Sequence, residues 1–458
     1  MAEPSTVQIP RRPWSLAALL IALYALVLIV LAGRLSLWVD EIIQLLVTRD
    51  STGLVGLLRS VPTNPAGVPL GYLSQRLAIQ LFGFSNLTAR LPSVVFSVLA
   101  CAGMLVVARQ LKLRAAILAP ILFALMPLQF RYATEGRPYA QALALSIYAT
   151  SAFLWLCARP GLRATAAYAL LLAAGIYTQP FVVFIGMSHL AWCALTRRPV
   201  LIRALAAHAV AAVLFLPWLL FAAPLSRDSV ARQGYAFRPA LSILSITFRE
   251  VCGHYAIAAL VALACIYALT RPETTRGTRS LLWISILLPI AGAVIGDAIG
   301  SYFFAARQII FIIPGVVLLA VEGCGALIEK RAPAGLALAA LLVAAMAAQD
   351  ARAFTRPRED WALAAHALKT QAGTDGCALT APSDWDFLYR FFIPAPASWL
   401  CGHDPRPATR VVLAITPYTS APQLAEAETR LRALGYSPLP GAQTAGGTRM
   451  RIFGLSRP

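Results

Sequence analysis

Long apolar runs recur along the first 350 residues, and each is long enough to span a hydrocarbon core about 30 Å thick. Hydrophobic residues make up 59% of the chain and charged residues 13%, whereas about 25% of a soluble globular chain is charged. This balance excludes a soluble globular protein and predicts an all-α polytopic membrane protein with about eleven transmembrane helices. The predicted spans lie near 14–33, 87–108, 113–129, 139–157, 164–178, 180–196, 204–223, 253–270, 280–298, 305–327 and 333–349.

Basic residues predict which side of the membrane each loop faces. With a cytoplasmic N-terminus, every short inner loop carries arginine or lysine, as the positive-inside rule requires. These residues are Arg11, Arg12, Arg109, Lys112, Arg114, Arg159, Arg163, Arg197, Arg198, Arg203, Arg271, Arg276, Arg279, Lys330 and Arg331. The net charge of +19 is thus expected in a membrane protein, and we expect no nucleic-acid partner. The odd span count places the C-terminus outside, and abundant Ala, Arg and Pro favour a bacterial plasma (inner) membrane.

The composition changes near Asp350, which predicts a transmembrane module at 1–350 and an extracytoplasmic domain at 351–458. Strand-like and helix-like stretches alternate in the second part, as in a small α/β domain. The strands are expected at 376–381, 410–416 and 448–455, and helices are expected up to Lys369, at 384–392 and at 422–434. Cys377 and Cys401 would lie in an oxidising compartment, where a disulfide between them is an open alternative.

Two adjacent carboxylates, Asp40 and Glu41, directly follow the first span. The loop after them is half apolar and amphipathic, so we expect helices at the membrane surface rather than a free loop. Four ordered motifs accompany the pair. They are Asn64-Pro65-Ala66-Gly67-Val68-Pro69-Leu70-Gly71-Tyr72, Arg90-Leu91-Pro92-Ser93 entering the second span, Glu135-Gly136-Arg137-Pro138-Tyr139 in the second outer connection, and Ala306-Arg307-Gln308 starting a late span.

In the order and placement of these motifs the chain resembles the GT-C glycosyltransferases that use polyprenyl-phosphate sugars. That group includes the protein O-mannosyltransferases and the enzymes that add aminoarabinose to lipid A. Its members show an acidic pair after the first span, a proline-containing turn, an Arg-Leu-Pro-Ser entry and an E-x-R-x-Y motif. Two positions depart from the pattern: Asn64 stands where His or Pro is commoner, and Gln308 stands where Tyr is commoner.

The resemblance implies a GT-C architecture over about residues 1–330 and a hexosyl- or pentosyltransferase activity. Asp40 is implied as the general base, with Glu41 supporting it by holding an arginine or backbone groups. The substrate-binding residues are implied to be Glu135, Arg137, Tyr139 and Arg307. Transfer would be an inverting, direct displacement at the outer face, from a polyprenyl-phosphate sugar to a lipid, glycan or protein acceptor. The chemistry needs such groups, because a base must take the acceptor proton and positive charge must stabilise the leaving phosphate.

Other interpretations of these residues stay open. An acidic pair after a span can be an interfacial cap, Glu135 and Arg137 can form a local ion pair, and Arg307 can anchor a helix end. No obligatory metal is predicted, although an acidic pair can hold a divalent cation. The competing function is a lipid or solute transporter or flippase, which would place ionisable residues near the bilayer midplane, usually in repeats. The notable charges lie at helix ends on one face, which favours a transferase.

Overall fold

The computed structural model describes residues 13–64, 67–231, 240–270, 276–300, 305–355, 359–393, 399–401, 405 and 408–455. Of the residues singled out above, Arg11, Arg12, Pro65, Ala66 and Arg271 lie outside these ranges. Contacts divide the chain into two compact units, Met1–Gly33 with Val47–Ala353, and Arg34–Leu46 with Phe354–Pro458.

The first unit is built from helices. They are α1 (Pro13–Arg34), α2 (Val39–Asp50), α3 (Gly53–Ser60), α4 (Pro69–Phe82), α5 (Asn86–Gln110), α6 (Leu118–Ala124), α7 (Pro127–Ala133), α8 (Tyr139–Ala158), α9 (Leu162–Thr178), α10 (Val183–Thr196), α11 (Arg198–Ala231), α12 (Ala240–Cys252), α13 (Tyr255–Tyr267), α14 (Arg276–Gly300), α15 (Ile313–Lys330) and α16 (Ala332–Thr355), with the first part of α2 assigned to the second unit. Within the described ranges, seven helices are long and apolar enough to cross a membrane, or eight if α12 and α13 form one bent span. The polytopic helical fold is confirmed, but the count of eleven is not.

A helix break at Pro127 and the shortness of several helices account for the difference in span count. The predicted span 113–129 contains two short helices, α6 and α7, because Pro127 has no N–H with which to continue the first helix. The predicted span 253–270 contains α13, which has only 13 residues. Helix α12 precedes this span, and its axis differs from that of α13 by 91° across a break that contains Gly253, whose φ is 72°. Helices α9 and α10 coincide with predicted spans but have 17 and 14 residues, and a membrane crossing takes about 20.

Helix α15 lies in the interior of the first unit. Of the most apolar window in Ala306–Lys330, 89% is buried, compared with 22% for α1. Gly323 lets α15 approach α13 closely, because a Cβ there would overlap the carbonyl oxygen of Ala264. Arg307 belongs to a 3₁₀ helix, Ala306–Ile312, that leads directly into α15. Its backbone is therefore fixed by the most buried helix of the bundle.

The loop after α1 folds into the surface helices that its amphipathic character predicts. Leu57 of α3 and Tyr72 of α4 are buried in one apolar cluster with Trp218 of α11. Leu54 of α3 and Leu81 of α4 are 57% and 65% exposed. One side of each helix therefore packs on the bundle, and the other side exposes apolar surface suited to a lipid headgroup region.

The second unit contains a four-stranded sheet of order β1-β2-β4-β3. Its elements are α17 (Trp361–Ala372), β1 (Gly376–Ala381), α18 (Phe387–Arg390), β2 (Arg410–Ile415), α19 (Ala421–Ala433), β3 (Tyr436–Ala445) and β4 (Thr448–Leu455). Strands β1 and β2 are parallel, and β4 is antiparallel to both of its neighbours. The small α/β domain expected from the sequence is therefore present.

One local prediction in this domain is corrected, and one strand was not predicted. The stretch 384–392 forms a 3₁₀ turn, Ser383–Asp386, followed by only one turn of α-helix. Strand β3 escapes a pattern-based prediction because Pro438, Pro440 and Gly441 interrupt it. Its position at the edge of the sheet explains why these prolines are tolerated, since an edge strand has N–H groups that need no ladder partner.

Cys377 and Cys401 form a disulfide, with their Cα atoms 5.2 Å apart. The segment around Cys401 runs beside β1, where the N–H of Cys401 donates to the carbonyl of Ala378 at 2.9 Å. The N–H of Ala378 donates in turn to the carbonyl of Trp399 at 2.7 Å. The pairing that the sequence left open is thus present, and it is the chemistry of an oxidising compartment.

Candidate functional site

The acidic pair occupies the first turn of α2. Glu41 is fully buried, and its Oε2 accepts the backbone N–H of Trp38 at 3.2 Å. The carbonyl of Trp38 accepts the N–H groups of Glu41 and Ile42, both at 3.0 Å, which closes the helix start. Asp40 is half-buried and leaves the helix about 100° away from Glu41. Glu41 therefore holds backbone groups, while the Asp40 carboxylate occupies a different face.

Three of the four predicted substrate-binding residues lie between the end of α7 and the first residue of α8, which is Tyr139. Glu135 is 4% exposed, and its Oε1 accepts a charge-assisted hydrogen bond from Nε of Arg131 at 3.1 Å. The Arg137 guanidinium lies 5.9 Å from the centre of the Tyr139 ring. Tyr139 in turn meets the Tyr132 ring edge to face, with 4.7 Å between ring centres. Charge and aromatic surface thus meet in a short segment.

Electrostatics connect Arg307 to this segment. Tyr132 is buried, and burial raises the pKa of its hydroxyl; Glu135 raises it further, whereas Arg307 and Arg131 oppose the rise. The 3₁₀ helix that carries Arg307 packs against α7 and α8, so the fold brings the Arg307 and Tyr132 segments together although 175 residues separate the two in the chain. The four residues predicted to bind substrate, Glu135, Arg137, Tyr139 and Arg307, are accordingly brought together within the first unit.

Tyr72 of α4 belongs to the same cluster. Burial raises the pKa of the Tyr72 hydroxyl, while the Arg137 cation opposes the rise and Tyr139 adds to it. Tyr72 ends the proline-containing turn motif, so that motif contributes a side chain to the neighbourhood of Arg137. A neutral tyrosine hydroxyl can both donate and accept hydrogen bonds.

Gln75, which no sequence motif singled out, holds three elements at this cluster. Its side chain is 2% exposed and accepts a hydrogen bond from the Thr48 hydroxyl of α2 at 2.9 Å. Its amide nitrogen donates to the carbonyls of Ala89 at 2.8 Å and Gly136 at 3.1 Å. Gly136 lies between Glu135 and Arg137, so Gln75 fixes the backbone that presents both. Its position three residues after Tyr72, on the same helix face, is the signal that could have revealed it.

The Arg-Leu-Pro-Ser motif has a positioning role. Arg90 is 1% exposed, and its Nη1 donates to the carbonyl of Ala32 near the end of α1, at 2.9 Å. The Ser93 hydroxyl donates to the carbonyl of Arg137 at 3.0 Å. Arg90 therefore satisfies a carbonyl that the helix end leaves open, and Ser93 fixes the backbone of a candidate binding residue.

Gly71 permits close contact between α4 and the Glu135–Tyr139 segment. A Cβ at position 71 would overlap the Cβ of Pro138 and lie 3.1 Å from its Cγ. The proline-containing turn and the E-x-R-x-Y motif are thus two sides of one packing contact.

Gln308 has a structural function of its own where the resemblance favours tyrosine. Its Oε1 accepts the backbone N–H of Ala305 at 3.2 Å. This bond caps the 3₁₀ helix at the residue before Ala306 and so helps to set the direction of Arg307. Glutamine in place of the tyrosine that the resemblance favours is therefore compatible with the start of this 3₁₀ helix.

The cluster has the composition of an anion site. Arg137, Arg307 and Arg131 supply permanent positive charge, and guanidinium groups match phosphate oxygens in a two-point geometry. Among the described residues, no group of three or more His, Cys, Asp or Glu side chains is placed to hold a metal ion. The expectation that no metal is obligatory stays a prediction.

Comparison with known proteins identifies relatives of this architecture. Residues 63–221 match the sequence family described as dolichyl-phosphate-mannose-protein mannosyltransferase. The match spans three of the four motifs: the proline-containing turn, the Arg-Leu-Pro-Ser entry and the Glu135–Tyr139 segment. No protein of curated function matches the chain.

Solved structures show the fold. ArnT from Cupriavidus metallidurans in the apo state is 12% identical, with a TM-score of 0.63 over 96% of this chain and 98% of that one. ArnT bound to undecaprenyl phosphate gives a TM-score of 0.58 at 12% identity, over 97% and 98%. The arabinofuranosyltransferase AftD from Mycobacteria is 17% identical, with a TM-score of 0.54 over 96% of this chain and 40% of that one.

Proposed function

We propose that this chain, a multi-pass membrane protein with the GT-C fold, transfers a sugar from a polyprenyl-phosphate donor to an acceptor hydroxyl at the outer face of the membrane. The observation that carries the proposal is the cluster of Arg137 and Arg307 around Tyr132 and Tyr139. A protein that only transports neutral solutes has no need of two arginines collected around buried tyrosines. The structure of ArnT with undecaprenyl phosphate shows that a protein of this fold binds such a lipid.

The outer placement rests on the loop charges. With the eleven spans predicted from the sequence, every short loop on the opposite side carries arginine or lysine, which favours a cytoplasmic position for that side. The disulfide of the C-terminal domain supports the same orientation, because disulfides persist in oxidising compartments. Sugar nucleotides are cytoplasmic donors, so an outer site favours a sugar carried by a lipid phosphate.

The proposed step is a direct displacement. The acceptor oxygen attacks the anomeric carbon, its proton passes to the Asp40 carboxylate, and the bond from the anomeric carbon to the phosphate oxygen breaks. The bonding electrons leave with the polyprenyl phosphate, and Arg137 and Arg307 stabilise its charge. Because attack and departure occur on opposite sides of the carbon, the configuration is inverted.

Glu41 takes a supporting role in this proposal. Its buried carboxylate accepts the N–H of Trp38 and fixes the first turn of α2. Negative charge is also favourable at a helix N-terminus. Glu41 thereby holds the backbone that carries Asp40, which leaves Asp40 for the proton transfer.

The donor is identified first, and the residues are tested second. Deletion of the gene should cause one lipid-linked sugar to accumulate, and mass spectrometry of that lipid names the sugar and the polyprenyl length. Membranes containing the wild-type protein should transfer this sugar, and Asp40→Asn should abolish transfer at normal protein abundance. Glu426→Gln, which changes an exposed carboxylate of α19, is the control. Full activity in Asp40→Asn would show that Asp40 is not the base.

The anion cluster is tested separately. Arg137→Gln and Arg307→Gln should each lower kcat/KM by about 10²–10³-fold, the range found when a transition-state donor is removed. Arg249→Gln, at an exposed position of α12, controls for general loss of positive charge. Equal losses in all three variants would refute a specific phosphate site.

A further inference from the structure

A group of aromatic and acidic side chains lies in the C-terminal domain, and the proposed transfer does not use it. The parallel strands β1 and β2 end side by side, at Ala381 and Ile415. The loops that follow, 382–386 and 416–420, therefore emerge from one edge of the sheet. In open α/β sheets the carboxyl ends of parallel strands are the usual position of ligand sites.

Each of these two loops presents an aromatic side chain. Trp385 follows β1 and Tyr418 follows β2, and their ring centres are 5.4 Å apart with 46° between the ring planes. Tyr418 is 43% exposed, and Trp385 is partly exposed. Both rings therefore keep surface open to solvent, and Tyr and Trp are side chains that interfaces commonly use for contact.

Hydrogen bonds hold the Tyr418 loop in place. The Tyr418 hydroxyl donates to Oε1 of Glu359, at the start of the segment leading into α17, at 2.7 Å. The Thr416 hydroxyl accepts the N–H of Tyr418 at 3.2 Å, and the Thr419 hydroxyl donates to the carbonyl of Ala381 at the end of β1. The two loops are thus tied together, and little conformational freedom remains to be lost when a ligand binds.

Carboxylates lie beside the aromatic pair. Asp384 and Asp386 flank Trp385 in the sequence, and Asp384 is exposed. Asp386 accepts a hydrogen bond from Nε of Arg390 at 2.7 Å. This bond places a guanidinium group, which donates hydrogen bonds, beside a carboxylate, which accepts them. Glu359 adds a third carboxylate next to Tyr418. Exposed aromatic faces with fixed hydrogen-bonding groups around them form a surface that is apolar in its centre and polar at its rim.

We propose that Trp385 and Tyr418, with Glu359 and Asp384, form a carbohydrate-binding site that takes a neutral or amino-bearing sugar ring of a glycan. A sugar ring presents a face of C–H groups whose partial positive charge suits the negative face of an aromatic ring. Its hydroxyls point outward from the ring edge, where carboxylates accept hydrogen bonds. Anionic ligands such as phosphates or acidic polysaccharides are disfavoured by the three carboxylates.

The site goes beyond the proposed transfer reaction. Binding of a glycan by this domain needs neither a donor lipid nor Asp40, so it can be measured when no transfer is detected. If the transfer reaction exists, the site would retain a glycan acceptor near the enzyme. That consequence depends on the proposed function, whereas the binding itself does not.

The test uses the full-length protein in nanodiscs. It is screened against a panel of neutral and amino-bearing hexose and pentose oligosaccharides, with heparin oligosaccharides as the anionic comparison. The affinity for the best ligand is then measured by saturation-transfer NMR and by Trp fluorescence. We expect binding of at least one neutral or amino-bearing glycan. Trp385→Ala and Tyr418→Ala should each weaken it by about tenfold or more, a loss of about 1.4 kcal/mol per factor of ten.

Control variants distinguish a loss of affinity caused by the missing aromatic ring from a loss caused by misfolding. Leu363→Ala removes a 54% exposed apolar side chain of α17 in the same domain and should leave binding unchanged. Trp385→Phe keeps an aromatic face and should retain part of the affinity, with an unaltered thermal unfolding profile. Asp40→Asn should bind the glycan normally, which distinguishes this site from the transferase site. Absence of binding across the panel, a preference for heparin, or full affinity in Trp385→Ala would each overturn the proposal.

Discussion

Gly71→Ala tests whether the packing of α4 on the Glu135–Tyr139 segment controls activity. A Cβ at position 71 would overlap the Cβ of Pro138, and an ordinary carbon–carbon contact needs about 3.5–4.0 Å. Pro138 must therefore move by about 1 Å. It lies directly between Arg137 and Tyr139, so both would move with it. A misplacement of about 1 Å can cost about 10²-fold in rate, and overpacking costs about 1–3 kcal/mol of stability.

The matched control is Gly296→Ala in α14. Both positions are helical, but a Cβ at Gly296 meets no atom within 4 Å among the described residues. Alanine improves helix propensity by up to about 1 kcal/mol at either position, so propensity cancels in the comparison. The assay is sugar transfer in membranes with the donor identified by lipid profiling, together with thermal unfolding in detergent. Equal activity of the two variants would refute the argument that Gly71 positions Arg137.

Four other substitutions address separate contacts. Gln75→Leu removes the amide that donates to the carbonyls of Ala89 and Gly136, so the unfolding temperature should fall by the equivalent of about 1–3 kcal/mol; an unchanged temperature would contradict this. Gln308→Ala removes the oxygen that accepts the N–H of Ala305, and we expect about 0.5–1.5 kcal/mol lower stability and weaker binding of undecaprenyl phosphate. Cys377→Ser opens a loop with a sequence separation of 24 and should destabilise the C-terminal domain by about 3 kcal/mol, an effect that reductant should reproduce in the wild type. Burial raises the pKa of the Tyr389 hydroxyl, so above about pH 10 this hydroxyl ionises only in the unfolded chain and the domain should lose stability; Tyr389→Phe should reduce that loss.

The transferase motifs could be read from the sequence because each is a short, local pattern. The acidic pair follows the first apolar run, and Glu135, Arg137 and Tyr139 lie within five consecutive residues. Their mutual arrangement could not be read, because the 3₁₀ helix that carries Arg307 meets α7 and α8 only in the folded bundle. Gln75 was missed for the same reason: its three partners come from three different elements.

The sequence alone determined that this is a helical membrane protein, because a segment in lipid needs continuous apolar residues and an internally paired backbone. The alternation of strand-like and helix-like stretches after Asp350 likewise predicted the attached α/β domain. The number of spans needed the tertiary structure, since Pro127 interrupts a run that composition treats as continuous, and α9, α10 and α13 are shorter than a membrane crossing requires. The disulfide and the meeting of Trp385 with Tyr418 also depended on the fold. Contacts between residues far apart in the chain are decided by packing, and hydrophobic periodicity reports only which face of an element is buried.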